Sequence, residues 1–326
     1  MSTKDEILKY LQKHNDYVSG EELSEQLLVS RTAVWKHVNT LRSAGYEIES
    51  VTNRGYRLIS SPDQITPELI LSGLETKTLG KTVFSFDSID STNAQAKRQA
   101  LSGAPNGSLF IAERQTGGKG RLGRAWESPS GTGLWFSVLL RPDSLPVQVT
   151  GITLLAGLAV CRAIRKQTKA PAMIKWPNDI VIGSKKVCGI LTEMAAEIDR
   201  IEYVVVGIGI NVNMENFPDE LSVKATSLRM ECGRPVARAG LLQEILKEFE
   251  EILCDDIDRP EAILAEYKTL CVSLNRTVGF TRNEEPVTAT AVDISPAGEL
   301  IVRCEDGSLL SINAGEVSVQ GIYGQT

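Results

Sequence analysis

A glycine-rich, cationic loop separates two apolar runs of the sequence. Between Gln115 and Arg124 it carries four glycines and three cations, which are Gly117, Gly118, Gly120, Gly123, Lys119, Arg121 and Arg124. Glycine lets the backbone turn where other residues cannot, and it exposes bare N–H groups to an anion. Lysine and arginine add charge that phosphate or carboxylate neutralises. The loop therefore predicts an anion-binding segment, with a mobile basic surface loop as the alternative.

Histidine is scarce, which excludes much chemistry near this loop. The chain has 2 histidines, His14 and His37, and both lie near the N-terminus. A Ser-His-Asp or Cys-His device, or a histidine-ligated catalytic zinc, would need one of them. Lysine, arginine, carboxylate and backbone groups remain, and they suit charge stabilisation in acyl or phosphoryl transfer.

Bulk composition predicts a soluble globular protein of the cytoplasm. The 326 residues suggest two or three domains, and 42% of them are hydrophobic with a net charge of −6. Apolar runs stay short of the roughly 18 residues of a membrane span, and the start of the chain does not resemble a signal peptide. The 6 cysteines form no C-x-x-C pair, so they predict buried free thiols rather than a zinc or dithiol site.

The N-terminal residues have the pattern of a winged helix-turn-helix. Ser19 and Glu22 have capping-box spacing, and Ser30 is a suitable N-cap for a third helix. The inward positions of the first and third helices are Ile7, Leu8, Leu11, Val34, Val38 and Leu41. Residues 46–51 and 56–58 flank an Asn-Arg-Gly turn and predict a hairpin that forms the wing.

The same segment is locally basic. Residues 30–58 hold Arg31, Lys36, Arg42, Arg54 and Arg57 against Glu47 and Glu49, which is five minus two, or +3. We expect DNA to contact Ser30, Arg31, Thr32, Trp35, Lys36 and Arg54. A protein-docking module or a solvated charged face are the alternatives.

An α/β region and a small β domain follow. Pro62 and Pro67 bracket a predicted linker. Strands are predicted at 83–86, 109–112, 134–140, 187–191 and 203–208, and helices at about 92–101, 152–166 and 241–254. From about residue 273, turn signals at 295–298, 306–307 and 313–315 separate runs rich in Val, Thr and Ile. They indicate a small antiparallel barrel.

Five segments in order resemble motifs of the biotin-protein ligase family. They are Ser91-Thr92-Asn93, the Gln115–Arg124 loop, Lys175-Trp176-Pro177-Asn178-Asp179, residues 186–193 (KVCGILTE) and residues 207–211 (GIGIN). The resemblance covers nearly the whole chain and is to the bifunctional form, which is also a biotin operon repressor. At the position of Lys119 the family commonly has arginine. A lysine ammonium is a compact single charge, whereas an arginine guanidinium can make two parallel hydrogen bonds to one anion.

The resemblance implies a mixed α/β (α+β) fold class in three domains. Residues 1–64 would form the winged helix-turn-helix, and residues 65–271 a catalytic domain related to class II synthetase-like folds. Residues 272–326 would form an SH3-like barrel.

The resemblance also implies the reaction and its partners. Biotin carboxylate would attack the α-phosphate of ATP, with Mg²⁺, to give biotinyl-5′-AMP and pyrophosphate. A lysine of a biotin carboxyl carrier protein would then take the biotin, with no covalent enzyme intermediate. A ligand-promoted homodimer would bind operator DNA, and no membrane partner is expected.

Residue roles are carried over from the matching motifs. The catalytic residues implied are Lys186, Arg121 and Asp179. Biotin would be bound by Ser91, Thr92, Asn93, Gln115, Gly118, Lys119, Gly120, Arg121, Lys186 and Gly189. ATP and the adenylate would be bound by Arg121, Arg124, Trp126, Lys175, Asn178, Asp179, Lys186 and Asn211. Asp179 would hold Mg²⁺ or orient the attacking amine.

Simpler roles and other functions stay open at this point. Lys186 could be a solvated turn lysine, Trp176 could simply pack, and Asn211 could cap a turn. A sensor without catalysis, or a lipoate-type acyl ligase with an unrelated winged helix, are the alternative functions. The presence of Lys186, Arg121 and Arg124 argues against lost catalysis.

Overall fold

The chain folds into two compact units, Met1–Gly73 and Leu74–Thr326. The structure is a computed structural model that describes residues 3–14, 16–43, 46–60, 63, 65–142, 149–196, 201–313 and 317–324. Each unit is described by itself below.

The first unit is a winged helix-turn-helix, as predicted. Its elements are α1 (Thr3–Lys13), α2 (Gly20–Gln26), α3 (Arg31–Ser43), β1 (Glu47–Val51), β2 (Gly55–Ser60) and α4 (Pro67–Ser72). Ser19 Oγ accepts a hydrogen bond from Glu22 N at 3.0 Å and so caps α2. The predicted inward positions of α1 and α3 form one buried cluster with Leu23. Gly55 turns the wing with φ +105°, where an added Cβ would lie 2.1 Å from Val18 O.

Helix α4 was not predicted. Pro67 begins it, and Thr66 Oγ1 accepts from Leu69 N at 3.2 Å. Proline suits a first helical position because an N–H at that position would have no partner within the helix, so nothing is lost by its absence. Pro62, the other end of the predicted linker, lies outside the described residues.

A mixed sheet forms the centre of the second unit. Within the described residues its strands are β3 (Val83–Phe86), β4 (Leu109–Ala112), β5 (Gly133–Leu140), β6 (Ala172–Lys175), β7 (Asp179–Ile182), β8 (Lys185–Ala196) and β9 (Ile201–Asn211). Their order is β3-β4-β5-β9-β8-β7-β6, and only the β3–β4 pair is parallel among these. The five predicted strands are all present, whereas the short hairpin β6–β7 was missed.

Helices cover this sheet and link it to the C-terminal domain. They are α5 (Thr92–Leu101), α6 (Val149–Thr168), α7 (Asp219–Ser222), α8 (Leu228–Cys232), α9 (Arg238–Asp258) and α10 (Pro260–Leu270). The bounds of α5 agree with the prediction, while α6 and α9 extend beyond theirs. Helix α5 packs on β4, β5 and β9, and α6 packs on α9 and on β6, β7 and β8.

The C-terminal residues form a small antiparallel β domain, which confirms the predicted fold class. Its strands in the described part of the chain are β10 (Thr277–Arg282), β11 (Glu285–Ile294), β12 (Leu300–Arg303), β13 (Leu309–Ile312) and β14 (Ser318–Val319), ordered β13-β12-β11-β10-β14. The predicted turn at 313–315 falls partly outside the described residues, since 314 and 315 are not described.

Two predictions from composition can be compared with the fold. None of the described helices is both long and apolar enough to span a membrane. Cys161, Cys188 and Cys271 are buried free thiols as predicted, but Cys254 is exposed. The prediction of burial was therefore wrong for Cys254, which lies on α9, and Cys232 and Cys304 are only half-buried.

Candidate active site

Paired glycines on β8 and β9 make a flat floor on the central sheet. Gly189 and Gly209 are partners in the antiparallel register. An added Cβ on Gly209 would lie 2.5 Å from Trp126 Nε1, and one on Gly189 would lie 3.2 Å from Trp126 Cζ3. The Trp126 side chain therefore rests directly on bare backbone. Gly207, also on β9, lies equally close to Asn93, since an added Cβ there would lie 2.0 Å from Asn93 Oδ1.

Lys186 and Asp179 form an ion pair beside this floor. Lys186 Nζ lies 2.6 Å from Asp179 Oδ1, and their side chains are 26% and 10% exposed. Asp179 begins β7, and Lys186 is the second residue of β8, so one hairpin carries both charges. The Lys186 ammonium also lies 5.2 Å from the centre of the Trp126 ring, within cation–π range. A half-buried ammonium with one close carboxylate can exchange that contact for an incoming anion.

Tyr323, near the C-terminus, completes the environment of this pair. Its hydroxyl donates to Asp179 Oδ2 at 2.7 Å. Burial, and then the charge and hydrogen bond of Asp179, raise the pKa of Tyr323 well above its ordinary range. The hydroxyl therefore stays a proton donor. Sequence reasoning missed Tyr323 because 144 residues separate it from Asp179.

The glycine-rich loop folds back on itself and reaches the β6–β7 turn. Lys119 pairs with Ala125 as an isolated bridge, and Arg121–Gly123 form a short 3-10 turn. Arg121 Nη1 donates to Asn178 Oδ1 at 3.1 Å. Asn178 in turn donates from Nδ2 to the Ile190 carbonyl at 3.0 Å. The loop is thus tied to the residue next to Asp179.

Individual positions in this loop differ in what they contact. An added Cβ on Gly118 would lie 2.6 Å from the Trp126 carbonyl oxygen, so the close approach requires glycine. A Cβ on Gly120 would make only an ordinary contact, 3.7 Å from Arg124 O. Lys119 and Arg124 are exposed. Their charges can therefore reach a ligand from the solvent side.

A polar network lies behind the loop. Gln115 Oε1 accepts from Thr92 N at 2.8 Å and lies 3.1 Å from Thr92 Oγ1, while Gln115 Nε2 donates to Ser128 Oγ at 2.9 Å. Ser137 Oγ is fully buried, 2.8 Å from Thr92 Oγ1 and 2.6 Å from Asn93 Oδ1. Ser91 caps α5, with its Oγ accepting from Ala94 N at 3.4 Å. Ser128 and Ser137 were not predicted, since neither lies in a recognisable motif.

Asn93 belongs to the interior of this network. It is 7% exposed, and its Nδ2 donates to Leu191 O at 3.2 Å and to Glu193 Oε2 at 2.8 Å. Glu193 also accepts from Lys97 Nζ at 2.8 Å. Burial alone would raise the pKa of Glu193, but the hydrogen bonds from Lys97 and Asn93 lower it below its ordinary value. These contacts fasten α5 to β8.

Three other residues from the motifs make contacts within the protein. Lys175 is 7% exposed, and its Nζ donates to Val317 O at 2.9 Å. Trp176 is fully buried, and its Nε1 donates to Gly298 O at 3.0 Å. Asn211 donates from Nδ2 to Thr226 O at 3.1 Å. The packing role for Trp176 agrees with these contacts, whereas Asn211 joins the end of β9 to a carbonyl 15 residues further along the chain instead of capping a local turn.

The predicted DNA-contacting residues of the first unit are all exposed to solvent. Ser30 Oγ accepts from Ala33 N at 3.2 Å and caps α3. Arg31, Thr32, Trp35 and Lys36 on α3 are exposed, as is Arg54 in the wing turn.

Two other arginines of this basic segment have contacts inside the first unit. Arg42 donates to the Ile48 carbonyl, 2.7 Å from its Nη2, and so ties α3 to β1. Arg57 Nη2 lies 2.9 Å from Glu49 Oε2. Part of the positive charge counted in the sequence is therefore used in contacts inside the first unit.

The residues at this site are poorly suited to hold Mg²⁺ on their own. Both oxygens of Asp179 have close partners in Lys186 and Tyr323. Among the described residues there is no group of three His, Cys, Asp or Glu side chains that could hold a metal. Mg²⁺ commonly binds through one or two carboxylates together with substrate phosphates. The assignment of Asp179 to Mg²⁺ stays a prediction.

Comparisons with known proteins agree with this domain order. Residues 3–57 match an HTH domain, residues 85–211 match the Biotin/lipoate A/B protein ligase family, and residues 273–320 match the Biotin protein ligase C terminal domain. The Bifunctional ligase/repressor BirA of Bacillus subtilis is 42% identical over 93% of this chain and 94% of its own length. The Escherichia coli protein of the same name is 29% identical over 94% of each chain.

A solved structure supports the same conclusion. Biotin protein ligase from Aquifex aeolicus in complex with biotin and ATP has a TM-score of 0.65 and 32% identity, over 74% of this chain and 99% of that one. The chain therefore belongs to the biotin protein ligase family. Its three matched domains follow one another in the order HTH, ligase and C-terminal domain.

Proposed function

We propose that this chain is an ATP-dependent biotin-protein ligase that is also a biotin-responsive transcriptional repressor. It forms biotinyl-5′-AMP from biotin and ATP, and transfers biotin to a lysine of a biotin carboxyl carrier protein in the cytoplasm. The observation that carries the proposal is the Lys186–Asp179 pair at 2.6 Å, beside the glycine floor and the cationic loop. The relatives named as ligase/repressors support it.

The site's charges suit adenylate formation. A carboxylate and a polyphosphate repel each other, so cations must draw them together before a bond can form. In this proposal Lys186, which pairs with Asp179, contacts both groups. Arg121, which donates to Asn178 beside Asp179, adds a second cation. As the carboxylate oxygen bonds to the α-phosphorus and pyrophosphate leaves, preorganised ammonium and guanidinium groups stabilise the developing charge. The bound adenylate then reacts with the carrier's lysine amine.

The floor and the loop have separate tasks in this proposal. Bare backbone at Gly189 and Gly209 allows a flat, apolar group to lie close to the sheet where Trp126 now rests. Thr92 and Gln115 supply fixed donors and acceptors for the ureido ring. The loop bearing Lys119, Arg121 and Arg124 holds phosphate oxygens and excludes water from the reactive anhydride.

One assay tests the enzymatic half. The protein is incubated with ATP, Mg²⁺, an apo carrier domain, and either biotin or lipoate, and the carrier is weighed by mass spectrometry. The mass of one biotinyl group added to the carrier, with pyrophosphate released, is the expected result. Addition of lipoyl only would indicate a lipoate-type acyl ligase, and no addition with either acid would indicate a sensor without catalysis.

We propose that the first unit binds operator DNA through the exposed face of α3 and the wing. Lys36→Ala should weaken binding evenly across sequences and reduce the log-log salt slope by about 0.9, the value for one phosphate contact. Arg42→Ala is the matched comparison, since its charge is used inside the unit at Ile48 O. It should lower the stability of the unit, and unchanged operator affinity for Lys36→Ala would contradict the assigned surface.

A further inference from the structure

The C-terminal tail reaches into the charged centre of the site. Tyr323 Oη donates to Asp179 Oδ2 at 2.7 Å, and Tyr323 N donates to Ser184 O at 2.9 Å. Ser184 lies in the turn between β7 and β8, the hairpin that carries Asp179 and Lys186. The tail is therefore fastened to this hairpin by its backbone and by its side chain.

A second contact ties the same tail to β6. Lys175 Nζ donates to Val317 O at 2.9 Å and lies 5.2 Å from the centre of the Tyr323 ring. Lys175 is the register partner of Asp179 across the β6–β7 hairpin. The Tyr323 ring thus lies between a buried ammonium and a buried carboxylate, and both contacts come from one short hairpin.

These contacts fix the orientation of the Asp179 carboxylate. Oδ1 faces Lys186 Nζ at 2.6 Å, and Oδ2 accepts from Tyr323. The Oδ1 contact is an ion pair without hydrogen-bond geometry, so the hydrogen bond from Tyr323 is the directional contact that limits rotation of the carboxylate. Without the Tyr323 hydroxyl, only the ion pair would hold the carboxylate, and the direction of the Lys186 ammonium would be less well defined.

We propose that Tyr323 is a positioning residue for adenylate formation, acting through Asp179 on the Lys186 ammonium. The inference rests on the proposed ligase function and makes the C-terminal domain part of the active site. Tyr323 touches no reacting atom in this scheme. It sets the position from which Lys186 reaches the carboxylate and the α-phosphate, so it contributes to the chemical step more than to substrate affinity.

Removing a single oxygen atom tests the proposal. Tyr323→Phe should lower kcat for biotin-dependent pyrophosphate release roughly 10- to 100-fold, because small misplacements of a catalytic group cost this much. KM for biotin should stay within about twofold, since the role is confined to the transition state. Tyr267→Phe is the matched control. The Tyr267 hydroxyl is buried and has no hydrogen-bond partner in the described structure, and its loss should leave kcat unchanged.

A double-mutant cycle separates positioning from a purely structural role. In an Asp179→Ala background, Tyr323→Phe should lower kcat no further, because the group through which it acts is gone. All variants are assayed at a temperature where circular dichroism shows them folded, so instability is not counted as lost catalysis. An equal loss in both backgrounds would overturn the proposal and leave Tyr323 as an anchor of the C-terminal domain.

The wild-type protein keeps this test distinct from the proposed function. If wild-type protein releases no biotin-dependent pyrophosphate, the ligase function fails and the inference fails with it. If wild-type protein is active and Tyr323→Phe matches its kcat, only the inference is overturned.

Discussion

Lys186 takes its position from neighbours of three kinds. Asp179 holds its charge at 2.6 Å, and the Trp126 ring lies 5.2 Å away. Gly189 leaves room for it, since a Cβ there would lie 3.0 Å from both Cε and Nζ. A buried ion pair is costly to form unless its geometry is good, and it contributes little net stability. In the proposed reaction, its value is that a half-buried ammonium is held in one position until an anion replaces the carboxylate.

Lys186→Ala should abolish most adenylate formation. The expected loss in kcat for biotin-dependent pyrophosphate release is about 10²-fold or more, the usual effect of removing one preorganised stabilising group. Lys185→Ala is the matched control, because it removes an equal charge from the preceding residue of the same strand. Adjacent strand residues point to opposite faces, so this variant should keep nearly full activity. Normal pyrophosphate release by Lys186→Ala would exclude the assigned role.

Residue types could be predicted from the sequence where a local motif carries them. Lys186, Asp179 and Arg121 lie in short segments whose composition already points to anion binding. In the structure Lys186 pairs with Asp179, and Arg121 donates to Asn178, the residue before Asp179. Tyr323 could not be found this way. Its partner is 144 residues away, and a lone tyrosine near a chain end has no periodic or motif signal. The same holds for Ser137, which lies on β5 and contacts Thr92 and Asn93 of α5.

Elements with strong local signals were the ones predicted well. Helix α5 has its N-cap at Ser91, and its observed bounds agree with the prediction. The hairpin β6–β7 was missed because each of its strands includes a charged residue, Lys175 or Asp179, and keeps only three apolar residues in a row. Helix α4 was missed because Pro67 was interpreted as the end of a linker, although proline equally begins a helix.

The contact between α5 and β9 makes Gly207 a stability determinant. An added Cβ there would lie 2.0 Å from Asn93 Oδ1, in a buried network with Ser137. Gly207→Ala should therefore lower the free energy of unfolding by about 1–3 kcal/mol, the typical cost of overpacking. The measurement is urea unfolding followed by circular dichroism. Gly240→Ala is the control, since nothing lies within 4 Å of its added Cβ, and it should be neutral or stabilising by about 0.5–1 kcal/mol. Equal stability of the two variants would refute this account of the contact.

A carboxylate on α9 anchors the segment before β3. Glu250 accepts from the backbone N–H groups of Lys77, Thr78 and Leu79 at 2.5, 2.7 and 2.9 Å. Burial alone would raise the pKa of Glu250, but these donors lower it below the ordinary 4.5. A carboxyl group whose pKa is lower in the folded than in the unfolded protein gives its full stabilisation at pH values above the unfolded pKa. That contribution is lost as the pH falls through the lower folded value.

Glu250→Gln should accordingly change how stability depends on pH. The variant should be less stable than wild type at neutral pH by about 1–2 kcal/mol, through weaker hydrogen bonds to a neutral acceptor. The difference should shrink as the pH is lowered from about 5 to about 3, because wild type loses its ionised acceptor there. Thermal unfolding across this range is the measurement. Glu251→Gln changes the exposed neighbouring residue, and its stability difference from wild type should not depend on pH in this range. A stability difference for Glu250→Gln that stays constant with pH would disprove the anchoring role of the Glu250 charge.

At the scale of the whole molecule, charge separates the two halves of the proposed function. The chain carries −6 overall, yet residues 30–58 carry +3. A net negative protein that binds DNA needs a locally basic surface, and the exposed Arg31 and Lys36 of α3 supply two of its cations. A single winged helix makes few phosphate contacts, so two copies on a two-fold operator would bind much more strongly than one.

The last prediction concerns the link between ligand and dimer. The loop with four glycines should become more ordered once an adenylate phosphate neutralises Lys119, Arg121 and Arg124. Ordering can favour a homodimer only if the dimer holds more of the ordered state than the monomer does. Biotin plus ATP should then raise both the dimer fraction and the operator affinity, as measured by sedimentation and DNA binding across protein concentrations at fixed salt. Unmodified carrier should reverse both effects by consuming the adenylate.

Lys186→Ala provides the internal control for this switch. If the variant cannot make the adenylate, biotin plus ATP should leave its dimer fraction unchanged. Biotinyl-5′-AMP added directly to the wild-type protein should raise the wild-type dimer fraction without any catalytic step. Equal oligomeric state and equal operator affinity of wild type with and without biotin and ATP would mean that the DNA-binding unit is not controlled by the vitamin. The ligase and the winged helix would then share a chain without thermodynamic coupling, since a ligand that binds both states equally shifts neither.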